Sequence, residues 1–239
     1  MRPSPRRLIK VAALAAVALV VLALGLRELI HSRIHLLGDS LIRVDTGEKV
    51  VALGFDDGPN PKETPLMLDL LDRHGVKATF FMMGRSVERW PDTAREVLRR
   101  GHEVGNHSYS HPRLIFMSPG RVRDEIERTD ALLRGIGVAG PIHFSPPHGA
   151  KLIVLPYVLK QMGKLAVYSD TDPEEWKRPP ASVMVQTVLS TMRPGSVLGF
   201  HDTAGEETRR AVDEIVTRLK AEGYQFVTVS ELAARRVRN

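Results

Sequence analysis

Three short stretches hold residues whose types and spacing could do chemistry. The first is Phe55-Asp56-Asp57-Gly58-Pro59, two adjacent carboxylates at the end of an apolar run. Like charges this close resist joint ionisation unless a cation or a donor compensates, and a metal would settle that conflict. The second is His107-Ser108-Tyr109-Ser110-His111. Two imidazoles four residues apart can face one metal if the segment coils into a helical turn. That spacing is weak by itself, because histidine pairs arise by chance on surfaces and in cores. The third is Gly195–Asp202, where an apolar run ends at His201. Its unperturbed pKa of about 6.5 suits proton donation near neutrality. A lone strand-end histidine is as readily a hydrogen-bonded structural residue, and the adjacent Asp202 reads as a turn or cap with no assigned role. The joint pattern is much stronger than its parts. Asp57, His107 and His111 make a two-histidine, one-carboxylate set, which leaves a coordination position open as in catalytic zinc sites. Asp56 is then free to act as general base. The chain has no Cys, so disulfides and thiolate sites are excluded, and a metal must use nitrogen and oxygen ligands.

The elements that must position these groups are strands. Val50–Gly54 reads as a buried strand broken by Gly58 and Pro59, so Asp56 and Asp57 sit at its carboxyl end, where α/β folds place their chemistry. Leu41 to Phe55 reads as two strands around a turn at Asp45-Thr46-Gly47. A helix is predicted around Pro65–Arg73, stopping near Gly75, then a strand through Ala78–Met82. A second helix starts near Asp92 as N-cap and ends at Gly101. A short strand at Glu103–Gly105 leads into His107. Ser118-Pro119 opens a helix ending near Gly135. Further strands are expected at Ile142–Phe144, Leu165–Tyr168, Val197–Phe200 and Phe226–Val229, with a long helix over Glu206–Ala221. About seven strands alternating with helices argue for an α/β fold with a parallel sheet, open or closed. His74 and His102 read as surface or cap residues. Phe80, Phe81, Met82 and Met83 read as core.

The net charge of +6 invites a nucleic-acid reading, but its location argues against one. Arg2, Arg6, Arg7, Lys10, Arg27 and Arg33 against Glu28 account for five of those six charges within residues 1–35. The rest of the chain is nearly neutral and lacks a nucleic-acid footprint. The N-terminal basic flank precedes an unbroken apolar run from Val11 to Leu26. As a helix that run is about 24 Å long, against a hydrocarbon core of ~30 Å. Two readings stand: an uncleaved membrane anchor over residues 1–35, or a removed signal peptide with Ala23-Leu24-Gly25 at the cleavage site. Either one keeps the basic flank cytoplasmic and exports residues 36–239. The domain would then face the cell envelope, or be secreted or periplasmic.

Taken in order, Phe-Asp-Asp-Gly-Pro, His-Ser-x-x-His, a Pro-Pro-x-Gly loop, a Trp after acids and a strand ending in His resemble the polysaccharide deacetylase (NodB-homology) family of carbohydrate esterases. The resemblance runs from about Val50 to Leu232. It implies a distorted (β/α) barrel of seven to eight strands, here preceded by an N-terminal hydrophobic helix. It implies Zn2+, or another divalent metal such as Co2+ or Ni2+, held by Asp57, His107 and His111. It makes Asp56 the catalytic base and His201 the catalytic acid. Pro147, His148 and Gly149 would line the groove, with the His148 amide donating to the oxyanion. Trp176 and Leu198 would be substrate-binding, and Glu175 would tune His201. Two departures stand out. The family's third motif begins with Arg, which pairs with the base, and this chain has Ser145. The acid before the Trp is usually Asp, and here it is Glu175.

The implied activity is metal-dependent removal of N-acetyl groups from an amino-sugar polymer, peptidoglycan or chitin-like, outside the cytoplasmic membrane. The acetylated glycan is the implied partner, and no protein partner is implied. Two rival readings keep the fold: a deacylase or deformylase of a lipid-linked sugar, or an esterase of O-acetyl xylan-like polymers. A third, prompted by Ser145, is a weakly active glycan-binding module.

Overall fold

Val50–Asp56 forms the central strand because an unbroken apolar run suits a parallel strand buried on both faces. In the computed structural model, which describes residues 38–149 and 153–236 together with Leu14, Ala16, Val17, Val20 and Val21, this strand is β2. It pairs in parallel with Thr79–Met82 (β3), Val197–His201 (β6) and Gln225–Val227 (β7), while β3 pairs with Glu103–Asn106 (β4). A second parallel pair joins Ser40–Leu41 (β1) to Ala166–Val167 (β5). Single bridges link Asn106 to Phe144, Phe144 to Ala166, and Thr171 to Leu198. The described ladders are thus a five-stranded and a two-stranded parallel sheet tied together by isolated bridges.

The helices are Glu63–His74 (α1), Gly84–Arg89 (α2), Pro91–Arg99 (α3), Pro119–Gly135 (α4), Val154–Gln161 (α5), Ala181–Thr191 (α6), Glu206–Ala221 (α7) and Val229–Ala233 (α8), the last packing Val229 and Leu232 on the face opposite α1 and α7. Strand residues alternate between two cores. Val51, Leu53, Phe55, Leu198 and Phe200 pack against Leu68, Val97, Val188 and Ile215 of the helices. Val50, Ala52, Phe81, Val167 and Val197 form a separate cluster on the opposite face. By that alternation Asp56 and His201 project from the face opposite the helix layer. The sheet register places them side by side, Asp56 opposite His201.

Most of the predicted elements are present, with shifted ends. Gly75 closes α1 with φ 64°, as a glycine C-cap requires. Ser118 caps α4, accepting from the Arg121 amide at 3.4 Å, with Pro119 at the first turn. Asp92 is not an N-cap: Trp90 holds that position, Pro91 opens α3, and Asp92 lies in the first turn. The strand expected through Val229 stops at Val227, because Thr228 starts α8 with a capping box to Glu231. The hairpin expected over residues 41–55 does not form. Leu41 pairs with Val167 instead, and Val44 donates to the Gly195 carbonyl at 3.0 Å. A buried parallel partner outweighs the local turn. The anchor or signal expected over residues 1–35 lies largely outside the described residues. The five described residues there are helical and exposed, and among the described residues no helix is long and apolar enough to cross a membrane.

Candidate active site

The ends of β1, β2, β4, β5 and β6 and the loops that follow β4, Phe144 and β5 converge on a single cleft of about 850 Å³. Asp57 follows β2 directly with φ 74°, a left-handed backbone that a non-glycine residue adopts only when its surroundings enforce it. The next residue is held just as tightly. A Cβ on Gly58 would sit 2.6 Å from the buried Asp202 carboxylate, so a side chain is excluded there. Asp202 in turn accepts a hydrogen bond from Thr64 of α1.

His107 extends β4 by one residue, donating its amide to the Met82 carbonyl at 2.9 Å. The helical turn that would let the two histidines face one metal is absent. Ser108 (φ 61°) and His111 (φ 59°) are left-handed, and the segment is an irregular loop. Its amides are taken up by side chains. Asn106 accepts from Ser108, the Ser108 hydroxyl accepts from His111, and Glu125 of α4 accepts from Tyr109 and Ser110. The pair of imidazoles therefore converges through loop clamping.

The result is a compact donor set. Asp57 Oδ1 is buried without a hydrogen-bond partner. His107 Nε2 lies 3.5 Å and His111 Nε2 3.4 Å from it. The three candidate ligand atoms lie within 4.8 Å of one another. Ligands about 2.1 Å from a tetrahedral ion stand about 3.4 Å apart, so these separations fit a cation between them. His107 Nδ1 is 2.8 Å from the Ser145 carbonyl, which fixes the ring with Nε2 toward Asp57, as metal-ligating histidines commonly are. The charge states agree at Asp57 and His111, whereas at His107 burial is outweighed by Asp56 and Asp57, which raise its pKa, so a cation there would have to displace its proton. Burial would raise the Asp57 carboxyl, but His107, His201 and His111 outweigh it and hold it down to about 2. Burial, aided by His107, brings His111 down to about 4, leaving it neutral at pH 7. An ionised carboxylate and neutral imidazoles are the forms a divalent ion takes.

Two groups flank the set. Asp56 Oδ2 accepts from the Ser145 hydroxyl at 3.0 Å and lies 3.9 Å from His107 Nδ1. Among the described residues no Lys or Arg pairs with Asp56, so the serine hydroxyl stands where a cation was to be sought. On the other side His201 Nδ1 lies 2.7 Å from Glu175 Oε2, and His201 Nε2 lies 3.9 Å from Asp57 Oδ2. Burial would lower the His201 pKa, but the Glu175 hydrogen bond and the charges of Asp56, Glu175 and Asp57 raise it to about 9. Glu175, only 6% exposed, reaches His201 despite its extra methylene.

The other predicted residues divide. Trp176 lines the cleft with three-quarters of its surface exposed, an open aromatic face suited to stacking. His148 and Gly149 line it too, and the His148 ring stands edge-on to His111 with centroids 4.5 Å apart. Pro147 is buried and its neighbour Pro146 lines the cleft instead. Leu198 does not reach the groove. It is fully buried in the helix-side core, because on a strand with His201 facing the cleft it must face the other way. Sequence reasoning missed Glu125 and the pairing of Ser145 with Asp56. Nothing local marks Glu125. The Ser145 position was visible only as a departure from a motif.

The polysaccharide deacetylase family profile matches residues 43–167. This chain belongs to that family. Peptidoglycan-N-acetylmuramic acid deacetylase PdaC of Bacillus subtilis is 38% identical over 189 residues, covering 79% of this chain and 40% of that protein. Its solved structure matches with a TM-score of 0.72, covering 80% of this chain and 93% of the solved chain. Chitooligosaccharide deacetylase of a Bradyrhizobium species is 33% identical over 201 residues, covering 78% of this chain and 92% of that protein. A solved peptidoglycan N-acetylglucosamine deacetylase matches with a TM-score of 0.78 at 32% identity, covering 81% of this chain and 92% of the other. The chain spans about two fifths of the length of PdaC.

Proposed function

We propose that this polysaccharide deacetylase is a metal-dependent hydrolase that removes N-acetyl groups from an amino-sugar polymer, peptidoglycan or a chitin-like glycan, outside the cytoplasmic membrane. The observation that carries the reading is the orphaned Asp57 Oδ1 faced by two Nε2 atoms, with a carboxylate and an imidazole on either flank. Asp57, His107 and His111 would hold Zn2+, or Co2+ or Ni2+. Such an ion, when bound, polarises the acetamide carbonyl and eases loss of a proton from water. Asp56 takes the proton of the attacking water. The His148 amide donates to the carbonyl oxygen as it gains charge. His201, charged below about pH 9, gives its proton to the departing nitrogen while Glu175 holds the ring. The products are acetate and a free amino sugar. Trp176 forms a wall against which a sugar ring can stack.

The location reading rests on the basic and apolar residues 1–35, as anchor or signal. For the sheets, the isolated bridges support closure into a distorted (β/α) barrel with the cleft at its mouth. The test is acetate release from N-acetylglucosamine and peptidoglycan oligomers, with and without chelator. Activity that survives both exhaustive chelation and the Asp57→Ala, His107→Ala double substitution would overturn the reading.

A further inference from the structure

The cleft holds one side chain that the deacetylation scheme leaves unused. Arg113 is exposed and is the only Lys or Arg among the described residues that line it. Its guanidinium has no hydrogen-bond or ion-pair partner among the described residues, and its electrostatic neighbour is His148, itself against His111. The acids of the cleft are engaged elsewhere. Asp57 faces His107 and His111, Asp56 takes the Ser145 hydroxyl, Glu175 takes His201, and Asp172 accepts the Glu174 amide at 2.7 Å. Arg113 is also held in place. It follows Pro112 and leads into the one-turn 3-10 helix Leu114–Phe116, whose Leu114 and Ile115 are buried. An arginine keeps its charge at any working pH and presents a fork of donors that matches a carboxylate.

We infer that Arg113 selects substrate by binding a carboxylate carried on the sugar being deacetylated or on its immediate neighbour. This rests on the reading of the cleft as a glycan deacetylase, and it narrows the substrate class. Acidic amino-sugar glycans, in which the acetamido sugar or the next one bears a carboxylate ether, are preferred over neutral N-acetylglucosamine chains. Arg113 lines the same cleft as His111 and faces His148, whose ring lies against His111, which places its ligand on the reacting sugar or the one beside it.

The experiment compares three oligomers of equal length: neutral, carboxylate-bearing, and the acidic one with its carboxylates converted to amides. Binding is measured by calorimetry on the full chain after chelator treatment, and acetate release is scored separately on zinc-loaded protein. The acidic oligomer should bind about tenfold tighter than the other two, the effect of one charge-assisted hydrogen bond. The preference should shrink as salt rises. Arg113→Gln should abolish it, and Arg113→Lys should keep part of it. Equal binding of all three oligomers by the unaltered chain, or a preference that persists in Arg113→Gln, overturns the inference. Acetate release from none of them, with the binding preference intact, instead sinks the deacetylase reading alone.

Discussion

The two flanks of the donor set are built differently. On one side Asp56 is supported by a neutral hydroxyl, Ser145, at 3.0 Å. On the other His201 is supported by a carboxylate, Glu175, that is nearly removed from solvent. A neutral donor orients a base without adding charge, whereas a buried carboxylate both orients an acid and holds its proton. The electrostatic support therefore falls on His201, the proposed acid, while Asp56, the proposed base, is held by a neutral donor alone.

The largest break in that comparison removes what both flanks share. Asp57→Asn should lower acetate release by about 10⁴-fold, the several kcal/mol a Lewis-acidic ion supplies, and should abolish stoichiometric zinc uptake measured by elemental analysis. Retention of one zinc per chain in that variant would move the metal site elsewhere. Next comes the base. Asp56→Asn should cost about 10³-fold in kcat with zinc still bound, the range of a single general base. Equal losses of activity and metal would instead make Asp56 a ligand.

Glu175→Gln sharpens the acid side. In the metal-free protein His201 should titrate near 9, read by the histidine proton resonances, and the substitution should move it down toward the ordinary value. The sign follows from the proton count. The acid is competent below its pKa, so activity carried by His201 is lost as pH rises, and it is lost at lower pH once Glu175 is neutral. An unmoved titration would show that Asp56 and Asp57 alone raise the imidazole. The smallest effect is expected at the base's support. Ser145→Ala deletes one hydrogen bond to the Asp56 carboxylate, about 1.5 kcal/mol, so kcat should fall about tenfold with KM nearly constant. A loss as large as that of Asp56→Asn would mean the hydroxyl does more than orient.

Strand ends were the most legible part of this fold. Val50–Asp56 and Val197–His201 announce themselves as short apolar runs closed by polar residues, and both lie where expected. Loop conformation was not legible. In place of the helical turn considered between His107 and His111 stand two left-handed residues, with Asn106 and Glu125 accepting from the loop amides. The strand period could have corrected one error. His201 facing the cleft already sends Leu198 to the helix side, and a motif-based assignment overrode that rule. The helices at Gly84–Arg89, Val154–Gln161 and Ala181–Thr191 escaped notice.

What residue order determined by itself was local: which runs become buried strands, where glycine and proline stop them, and which polar groups those stops present. These follow from hydrophobic period and backbone preference within a few residues. Only the tertiary structure decided what each group meets. Ser145 reaches Asp56 across 89 positions and Glu175 reaches His201 across 26. Such pairings depend on strand register and on which side chains remain unsatisfied once the core closes, and neither is written in any local stretch.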